Sequence, residues 1–300
     1  MPRDTSTVDV GGRLVKLSNL TKVLYPESGF TKGEVIDYYR QVADVLLPHL
    51  AERPLTRKRW PDGTARPPFF EKNTPRGTPE WVRTVFMADH GDDGVEYVVA
   101  QDLPTLVWLA NLAALELHVP QWRVGPRGGP HDPDLVVFDL DPGAPADIID
   151  CFDVAGALRQ LLEADGLTAY PKTSGNKGAQ LYVPIEPAPA RRTSAYAKGL
   201  ADRLGEALPN LAISSMEKKL RHGKVFIDWS QNNAAKTTIA SYSLRGIDQP
   251  AVSTPLSWDE VTAATDAREV RFLAADVVAR VERRGDLFAD MAARAAPLPD

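Results

Sequence analysis

The sequence predicts an α+β protein in which buried strands alternate with amphipathic helices. Residues 135–138 form a continuous apolar run, which is typical of a strand buried on both faces. Residues 147–164 carry the apolar periodicity of an amphipathic helix that ends at Gly166. A Gly-rich turn then joins two further strand patterns, and a second helix is predicted over residues 192–208. A chain of 300 residues with these elements can form one large domain or two smaller ones.

The composition restricts the compartment and the partners. No apolar run is long enough to span a membrane, and residues 1–10 lack the apolar core of a signal peptide. The single cysteine, Cys151, excludes an internal disulfide and a cysteine-based zinc site, which favours a reducing cytoplasm. The net charge of −5 argues against indiscriminate nucleic-acid binding but allows a local basic groove.

The first elements combine a polar tail with a capped helix. Residues 1–13 are polar, and we expect a disordered N-terminal tail. Thr31 and Glu34 have the spacing of a capping box that opens a helix. Lys22 and Lys32 lie near the start of this helix, where they could bind a phosphate or simply be solvated; spacing alone favours solvation.

Basic and aromatic residues follow in the next strands. Residues 54–60 predict a strand in which Lys58 faces away from its two arginine neighbours. Phe70 stands beside basic residues and could stack on a base, although one of two adjacent phenylalanines usually lies in the core. Residues 102–117 predict an apolar helix ending at His118, which could contact a ligand or favour the helix C-terminus.

The central strand ends in two acids. Side chains alternate along a strand, so Asp139 and Asp141 should share one face while Leu140 points into the core. Two close carboxylates repel each other and raise one pKa unless a cation lies between them, and such oxygen ligands suit Mg²⁺ or Mn²⁺. An isolated D-x-D is equally often a strand running into an acidic turn.

Two later segments add matching chemistry. Residues 225–229 predict a second apolar strand, which carries Asp228. The turn at 173–178 offers an anion its backbone N–H groups together with Ser174 and Lys177, although it could also be a tight hairpin. Its spacing excludes a Walker A loop. Three acids at strand ends, this turn and nearby arginines suit metal-dependent phosphoryl or nucleotidyl transfer.

Eight segments in order resemble one family. They are KVLYP, RPLTRKRW, FFEK, LHVPQWR, VVFDLDPG, TSGNKGAQLYVP, GKVFIDWSQN and YSLRG. Together they resemble the polymerase domain of bacterial ligase D, a member of the archaeo-eukaryotic primase superfamily, over about residues 14–290. The resemblance implies a primase-type catalytic core of two mainly antiparallel sheets with flanking helices. It also implies a domain over 14–295, with an N-terminal part to about 130, a catalytic part over 131–250 and C-terminal helices over 256–295.

The resemblance implies a nucleotidyltransferase that works on DNA. Such a polymerase adds NTPs or dNTPs to a template-directed strand, preferring ribonucleotides, at gaps and double-strand break ends in non-homologous end joining. It uses two Mn²⁺ or Mg²⁺ ions per active site and binds DNA with a 5′-phosphate. A separate DNA ligase and an end-binding protein are possible partners, and the bacterial cytoplasm, at the nucleoid, is the expected location. With no ligase or nuclease module in the sequence, either a stand-alone polymerase or one domain of a longer protein is expected.

The family's motifs assign roles to fifteen residues. The implied catalytic metal ligands are Asp139, Asp141 and Asp228. The implied nucleotide-binding residues are Lys58, Phe70, His118, Ser174, Lys177, Gln180, Arg221, Gln231 and Arg245. The implied contacts to the downstream 5′-phosphate are Asn19, Lys22 and Lys32. The superfamily usually has histidine at the position of Gln180, and glutamine cannot carry a proton charge, so nucleotide affinity or preference should differ here.

Two other functions fit parts of the sequence. A D-x-D followed by a turn also opens aspartyl-phosphate phosphatase sites, which want Thr or Val where this chain has Gly143. A DNA-end-binding module with weakened catalysis is the second alternative. The presence of all three acids argues against it, and Gln180 is the one hint in its favour.

Overall fold

The computed structural model describes residues 5–91 and 93–299, and within them it confirms an α+β architecture of mainly antiparallel sheets with flanking helices. The strands are β1 (Thr5–Val10), β2 (Arg13–Ser18), β3 (Val23–Tyr25), β4 (Phe30–Thr31), β5 (Pro54–Arg59), β6 (Phe69–Glu71), β7 (Thr84–Met87), β8 (Val95–Val99), β9 (Ala114–Val119), β10 (Leu135–Pro142), β11 (Tyr170–Thr173), β12 (Ala179–Pro184), β13 (Ala212–Ile213), β14 (Val225–Asp228) and β15 (Thr238–Ile239). The α-helices are α1 (Lys32–Gln41), α2 (Ala43–Leu50), α3 (Leu103–Asn111), α4 (Ile148–Ala164), α5 (Ala190–Ala207), α6 (Trp258–Ala263) and α7 (Ala274–Arg284). Short 3-10 helices lie at Lys218–Leu220, Trp229–Asn232, Ala267–Val270 and Met291–Arg294.

The predicted buried strand, β10, is the centre of a five-stranded sheet in the order β11-β12-β10-β14-β13. Its neighbours β12 and β14 both run antiparallel to it. Val136, Phe138 and Leu140 are fully buried in a cluster with the apolar residues of α4 and α5. Because both helices pack on this face, the opposite face of β10, which carries Asp139, is left for other contacts.

A six-stranded sheet holds the N-terminal part, with the order β15-β9-β5-β8-β7 and β6 paired to β5. One prediction here was wrong: the helix expected over 102–117 ends at Asn111. Ala113 adopts a φ of 57°, and the chain then returns as β9. A continuous apolar run cannot distinguish a buried helix from a buried strand, and pairing with β5 decides for the strand. Asp102 caps the shortened helix as predicted.

The N-terminal segment is also more ordered than expected. Instead of a disordered tail over 1–13, the chain forms an antiparallel hairpin of β1 and β2; residues 1–4 lie outside the described residues. The Gly12 N–H donates to Asp9 Oδ1 at 2.8 Å and closes the turn. Val15 and Leu17 are buried and anchor the hairpin in the core that also contains α1 and α3.

Helices α1 and α4 start where the sequence predicts, whereas α5 starts two residues before the predicted 192 and α2 was not predicted. Thr31 and Glu34 form the predicted capping box at the start of α1. Asp147 caps α4, and Cys151 is buried in its apolar face. In the described part of the chain, none of the helices has the length and apolar character needed to cross a membrane.

Gly178 controls how closely β12 approaches β10. A Cβ added at Gly178 would lie 2.1 Å from the Leu140 carbonyl oxygen, between the two predicted metal ligands. Gly178→Ala should therefore lower the free energy of unfolding by about 1–3 kcal/mol, because backbone must move to make room. Gly199→Ala is a matched control, since an added Cβ meets nothing within 4 Å and the site is inside α5. This control should stabilise the protein by about 0.5–1 kcal/mol. Denaturant unfolding of both variants checks the prediction, and an unchanged stability in Gly178→Ala would contradict it.

Candidate active site

The three predicted acids lie on one face of the five-stranded sheet. Asp139 on β10 is directly opposite Asp228 on β14, and Asp141 follows two residues later on β10. In an antiparallel pair, residues directly opposite each other point to the same face, as do residues two apart. The register therefore gathers Asp139, Asp141 and Asp228, as the sequence pattern suggested for the first two.

Neighbouring polar groups fix the orientation of these carboxylates. Gln180 Nε2 donates to Asp139 Oδ1 at 3.0 Å, from the position directly opposite on β12. The Ser230 N–H donates to Asp228 Oδ1 at 3.0 Å, and the Ser230 hydroxyl also donates to that oxygen. Gln231 Nε2 donates to Asp228 Oδ2 at 2.8 Å. Gln231 thus contacts an acid, and its predicted role in nucleotide binding stays a prediction.

The like charges of the acids disturb their ionisation. Burial and the neighbouring carboxylates of Asp141 and Asp228 raise the pKa of Asp139 to about 7, although Gln180 opposes this. Burial and Asp228 also raise the pKa of Asp141, while Arg221 and Arg245 oppose the increase. The site therefore has more negative charge than its surroundings compensate, which is the condition that a bound cation would relieve.

The donor set fits a hard divalent cation, but the side chains do not form a ready-made cluster. Among residues 5–91 and 93–299, no three His, Cys, Asp or Glu side chains converge as a metal site. Asp139 and Asp228 point their oxygens toward Gln180, Ser230 and Gln231 instead. Gln180 Oε1 is buried and accepts no hydrogen bond from the described residues, so an acceptor remains beside Asp139. Carboxylate and amide oxygens are the ligands that Mg²⁺ and Mn²⁺ prefer.

The residues predicted to bind a triphosphate lie beside these acids. The guanidinium of Arg221 stacks on Phe226, 3.5 Å from the ring centroid, and Phe226 is directly opposite Asp141. The Ser174 hydroxyl accepts hydrogen bonds from two N–H groups of its own turn, and Lys177 is exposed at the tip. Gly175, with a φ of +73°, packs so closely that an added Cβ would lie 2.7 Å from Arg245 Cγ. The turn and both arginines therefore surround the acidic face.

A second group of predicted residues lies on one face of the six-stranded sheet. Phe70, Lys58 and Glu116 are directly opposite one another on β6, β5 and β9, and His118 follows Glu116 on the same face. Phe70 is 59% exposed, which leaves its ring free to stack. Lys58 lies over the Trp60 ring, 5.1 Å from its centroid. The fold thus brings together Phe70, Lys58 and His118, three of the residues predicted to bind the nucleotide.

Three residues that the sequence analysis did not single out contact these groups. Glu116 forms ion pairs with Lys58 and Arg245 and a hydrogen bond with His118. Lys172 is fully buried, directly opposite Gln180, and burial lowers its pKa to about 7. Ser230 contacts Asp228. The alternation of Glu116 and His118 with leucines in LELHV could have revealed the first of these, but the predicted helix obscured it.

Asn19, Lys22 and Lys32 also come together, at the start of α1 where the sequence places Lys22 and Lys32. The Lys22 N–H donates to the Asn19 carbonyl at 3.0 Å, and the Lys32 N–H donates to the Lys22 carbonyl at 2.8 Å. Asn19 and Lys22 are exposed, while Lys32 is mostly buried with Nζ donating to the Ser18 carbonyl. The first N–H groups of α1 already have partners, so side chains would have to contact a phosphate here.

Comparison with known proteins assigns the chain to a family. A family model described as the LigD primase-polymerase domain matches residues 31–288. The chain belongs to the LigD primase-polymerase family. It is therefore a nucleotidyltransferase of the polymerase type, as the sequence motifs implied.

Other LigD proteins are similar in sequence to this chain over most of its length. The multifunctional non-homologous end joining protein LigD of Mycolicibacterium smegmatis is 46% identical over 288 residues, which cover 95% of this chain and 37% of that protein. The bifunctional LigD of Bacillus subtilis is 34% identical and is covered over 44% of its length. The chain thus spans less than half of either relative. The solved polymerase domain of Mycobacterium tuberculosis ligase D, in complex with DNA, has a TM-score of 0.88 and 44% identity; the match covers 94% of this chain and 99% of that one.

The raised pKa of Asp139 gives the LigD-type site a testable pH dependence. Below about pH 4 the carboxyl is protonated in both the folded and unfolded states, so its raised pKa does not lower the free energy of unfolding. Between about pH 4 and pH 7 the unfolded chain ionises this group while the folded protein keeps it protonated, so wild-type stability falls over this range and the loss is complete above about pH 7. In a chelating buffer, Asp139→Asn should therefore raise the free energy of unfolding by roughly 1–4 kcal/mol at pH 8 and by little at pH 4. Denaturant unfolding at both pH values tests this, and an equal effect at the two would refute the assigned cause.

Proposed function

We propose that this chain is a template-dependent DNA/RNA polymerase that adds nucleotides, preferably ribonucleotides, at gaps and double-strand break ends during non-homologous end joining. The observation that carries the proposal is the pairing of the acidic face with two arginines whose Nε donors make no hydrogen bond. Arg221 Nε and Arg245 Nε are both buried and have no hydrogen-bond partner among the described residues, although Arg245 Nε lies 3.6 Å from Glu116 Oε1. Because buried donors are normally satisfied, we propose that the two guanidinium groups gain a hydrogen-bonding anion when the triphosphate of a nucleotide binds.

In this proposal Asp139, Asp141 and Asp228 hold two Mn²⁺ or Mg²⁺ ions, and the carboxylates exchange some of their present hydrogen bonds for them. The ions, when bound, would polarise the reacting phosphate and favour ionisation of the attacking 3′-hydroxyl. Arg221, Arg245, Lys177 and Ser174 hold the triphosphate and neutralise charge that develops as pyrophosphate leaves. Gln180 and Ser230 keep the acids in position through their hydrogen bonds.

The rest of the nucleotide extends to the six-stranded sheet. Phe70 offers an exposed ring for stacking on the incoming base, an interaction that every base can make. Lys58 and His118 lie on the same face and can contact the sugar hydroxyls, which supports the proposed preference for ribonucleotides. Gln180 replaces the superfamily's usual histidine and keeps a hydrogen bond to Asp139, so we propose that it lowers affinity without preventing catalysis.

We also propose that DNA with a recessed 5′-phosphate is the preferred partner. Burial and the positive charges of Lys22 and Arg59 lower the pKa of Lys32 to about 8, and Lys32 forms no ion pair among the described residues. Two neighbouring lysines, one without a counter-ion, suit a phosphate that lies against both. The relatives' names and the DNA-bound ligase D polymerase domain agree with a role in end joining. We further propose a separate DNA ligase and an end-binding protein as partners.

The alternatives have less support. Nothing in the family match or in the site favours an aspartyl-phosphate phosphatase. A DNA-end-binding module with weakened catalysis would not need three acids on one face of a sheet. In this structure all three acids lie on one face of the five-stranded sheet.

Metal-dependent chemistry is the first test. Asp141→Ala should lower the rate of Mn²⁺-dependent primer extension on a gapped duplex by about a hundredfold or more, since a metal ligand is lost. Mn²⁺ should raise the Tm of the wild type more than that of the variant, because a ligand stabilises the state that binds it. Asp153→Ala, an exposed position on α4, is the control and should behave as wild type. Running ribo- and deoxynucleotides in parallel tests the sugar preference. Near-normal extension by Asp141→Ala would refute the proposed polymerase mechanism.

Recognition of the 5′-phosphate is the second test. The wild type should bind a gapped duplex with a 5′-phosphate more tightly than the same duplex with a 5′-hydroxyl. The double variant Lys22→Ala, Lys32→Met should lose this preference, and the slope of log affinity against log salt should fall by about one unit for each lysine removed. Lys198→Ala removes a lysine that is ion-paired with Asp202 on α5, and it should keep the preference. Equal wild-type affinity for the two ends would exclude the phosphate site.

A further inference from the structure

Glu116 contacts three groups in the proposed nucleotide pocket, as the counter-ion of Lys58 and Arg245 and the hydrogen-bond partner of His118. Its Oε2 lies 3.2 Å from Lys58 Nζ and 2.8 Å from His118 Nε2. Its Oε1 lies 3.6 Å from Arg245 Nε and accepts a hydrogen bond from the Gly246 N–H at 3.1 Å. Oε2 therefore contacts side chains of the six-stranded sheet, while Oε1 contacts the loop that carries Arg245.

The side chain of Glu116 is less exposed to solvent than the side chains that surround it. The Glu116 side chain is 2% exposed, whereas those of Lys58, His118 and Arg245 are 26%, 13% and 18% exposed. A nucleotide can reach the three basic groups but cannot reach the carboxylate that they share. Those basic groups lower the pKa of Glu116 to about 2, outweighing the opposite effect of its burial, so it is ionised at any working pH.

We infer that Glu116 is a positioning residue, which holds Lys58, His118 and Arg245 in the arrangement that binds the incoming nucleotide. The inference rests on the proposed function of this pocket. Lys58 and Arg245 have long side chains whose many rotamers must be restricted before binding, and a buried anion restricts both at once. Because Gly175 of the predicted anion-binding turn packs against Arg245, a displaced Arg245 would affect the triphosphate end of the site as well.

A different role for Glu116 makes the opposite prediction. If Glu116 acted on the nucleotide only through its charge, it would repel the triphosphate, and removing that charge would tighten nucleotide binding. If it positions the basic groups, removing the charge should weaken binding. Glu116→Gln separates the two roles because the amide keeps the size of the side chain and one acceptor for Gly246 but loses the ion pairs.

The test is an equilibrium titration of ATP and dATP with MnCl₂, together with primer-extension kinetics on a gapped duplex. Glu116→Gln should raise the nucleotide Kd and KM about tenfold, with a smaller change in kcat, since charge-assisted contacts are lost at the binding step. Affinity for the gapped DNA itself should not change. Unchanged or tighter nucleotide binding in the folded variant would overturn the inference.

Glu260→Gln provides a matched control. Glu260 is also a carboxylate held by two arginines, Arg280 and Arg284, but it lies at the start of α6 among the C-terminal helices. This variant should lose stability and keep the wild-type nucleotide Kd. A comparable increase in Kd for Glu260→Gln would mean that a general loss of stability, and not positioning, explains the result for Glu116→Gln.

A second variant keeps the question answerable if Glu116→Gln does not fold. In the double variant Lys58→Met, Glu116→Gln, the buried charge is removed together with its partner Lys58, so Lys58 is not left as an unpaired ion. The double variant should therefore fold more readily than Glu116→Gln alone. Its nucleotide Kd should exceed that of Lys58→Met alone several-fold, because His118 and Arg245 also lose their anchor. Equal Kd values would overturn the inference.

If the wild type itself binds no nucleotide, the proposed function fails. If the wild type binds nucleotide normally and substitution of Glu116 has no effect, only the inference about Glu116 fails.

Discussion

The mutual repulsion of Asp139, Asp141 and Asp228 is the constraint on which the rest of the site depends. Strand register forces these carboxylates onto one face, and burial makes their repulsion stronger than it would be in water. The fold opposes this repulsion without removing it. Helices α4 and α5 pack on the other face of the sheet, and the charges of Arg221 and Arg245 favour the ionised form of Asp141. The acids are thus held on one face at an energetic cost, which a bound cation would relieve.

Arg245 connects the two halves of the site. It forms an ion pair with Glu116 on the six-stranded sheet and favours the ionised form of Asp141 on the five-stranded sheet. The Tyr25 hydroxyl donates to its carbonyl, and Gly175 packs against its side chain. A displacement of this single residue would change both the sugar end and the triphosphate end. The two sheets therefore act as one site because a shared cation is held between them.

The sequence predicted β5, β10, β11, β12 and β14, together with the shared face of Asp139 and Asp141, because those features depend on local patterns of apolar residues. It failed where tertiary contacts decide. β9 was mistaken for the end of a helix, since an apolar run fits either structure until β5 pairs with it. The hairpin of residues 5–18 was missed because Val15 and Leu17 become buried only against the distant α3. Glu116 was missed because it lies on β9, which was mistaken for the end of a helix. The grouping of Asn19 with Lys22 and Lys32 came only from the family resemblance.

The balance of charge explains why metal ions should enter with the nucleotide. Once fully ionised, Asp139, Asp141, Asp228 and Glu116 are offset by Lys58, Lys177, Arg221 and Arg245, and burial lowers the pKa of His118 so that it adds no permanent charge. A triphosphate carrying about four negative charges would therefore meet a pocket with no net positive charge to attract it. The two divalent cations of the proposed mechanism would supply the missing charge beside the acids, where repulsion is greatest. On this argument Glu116 has an electrostatic cost as well as a positioning role: it orders the basic groups and leaves the attraction of the phosphates to the metal ions.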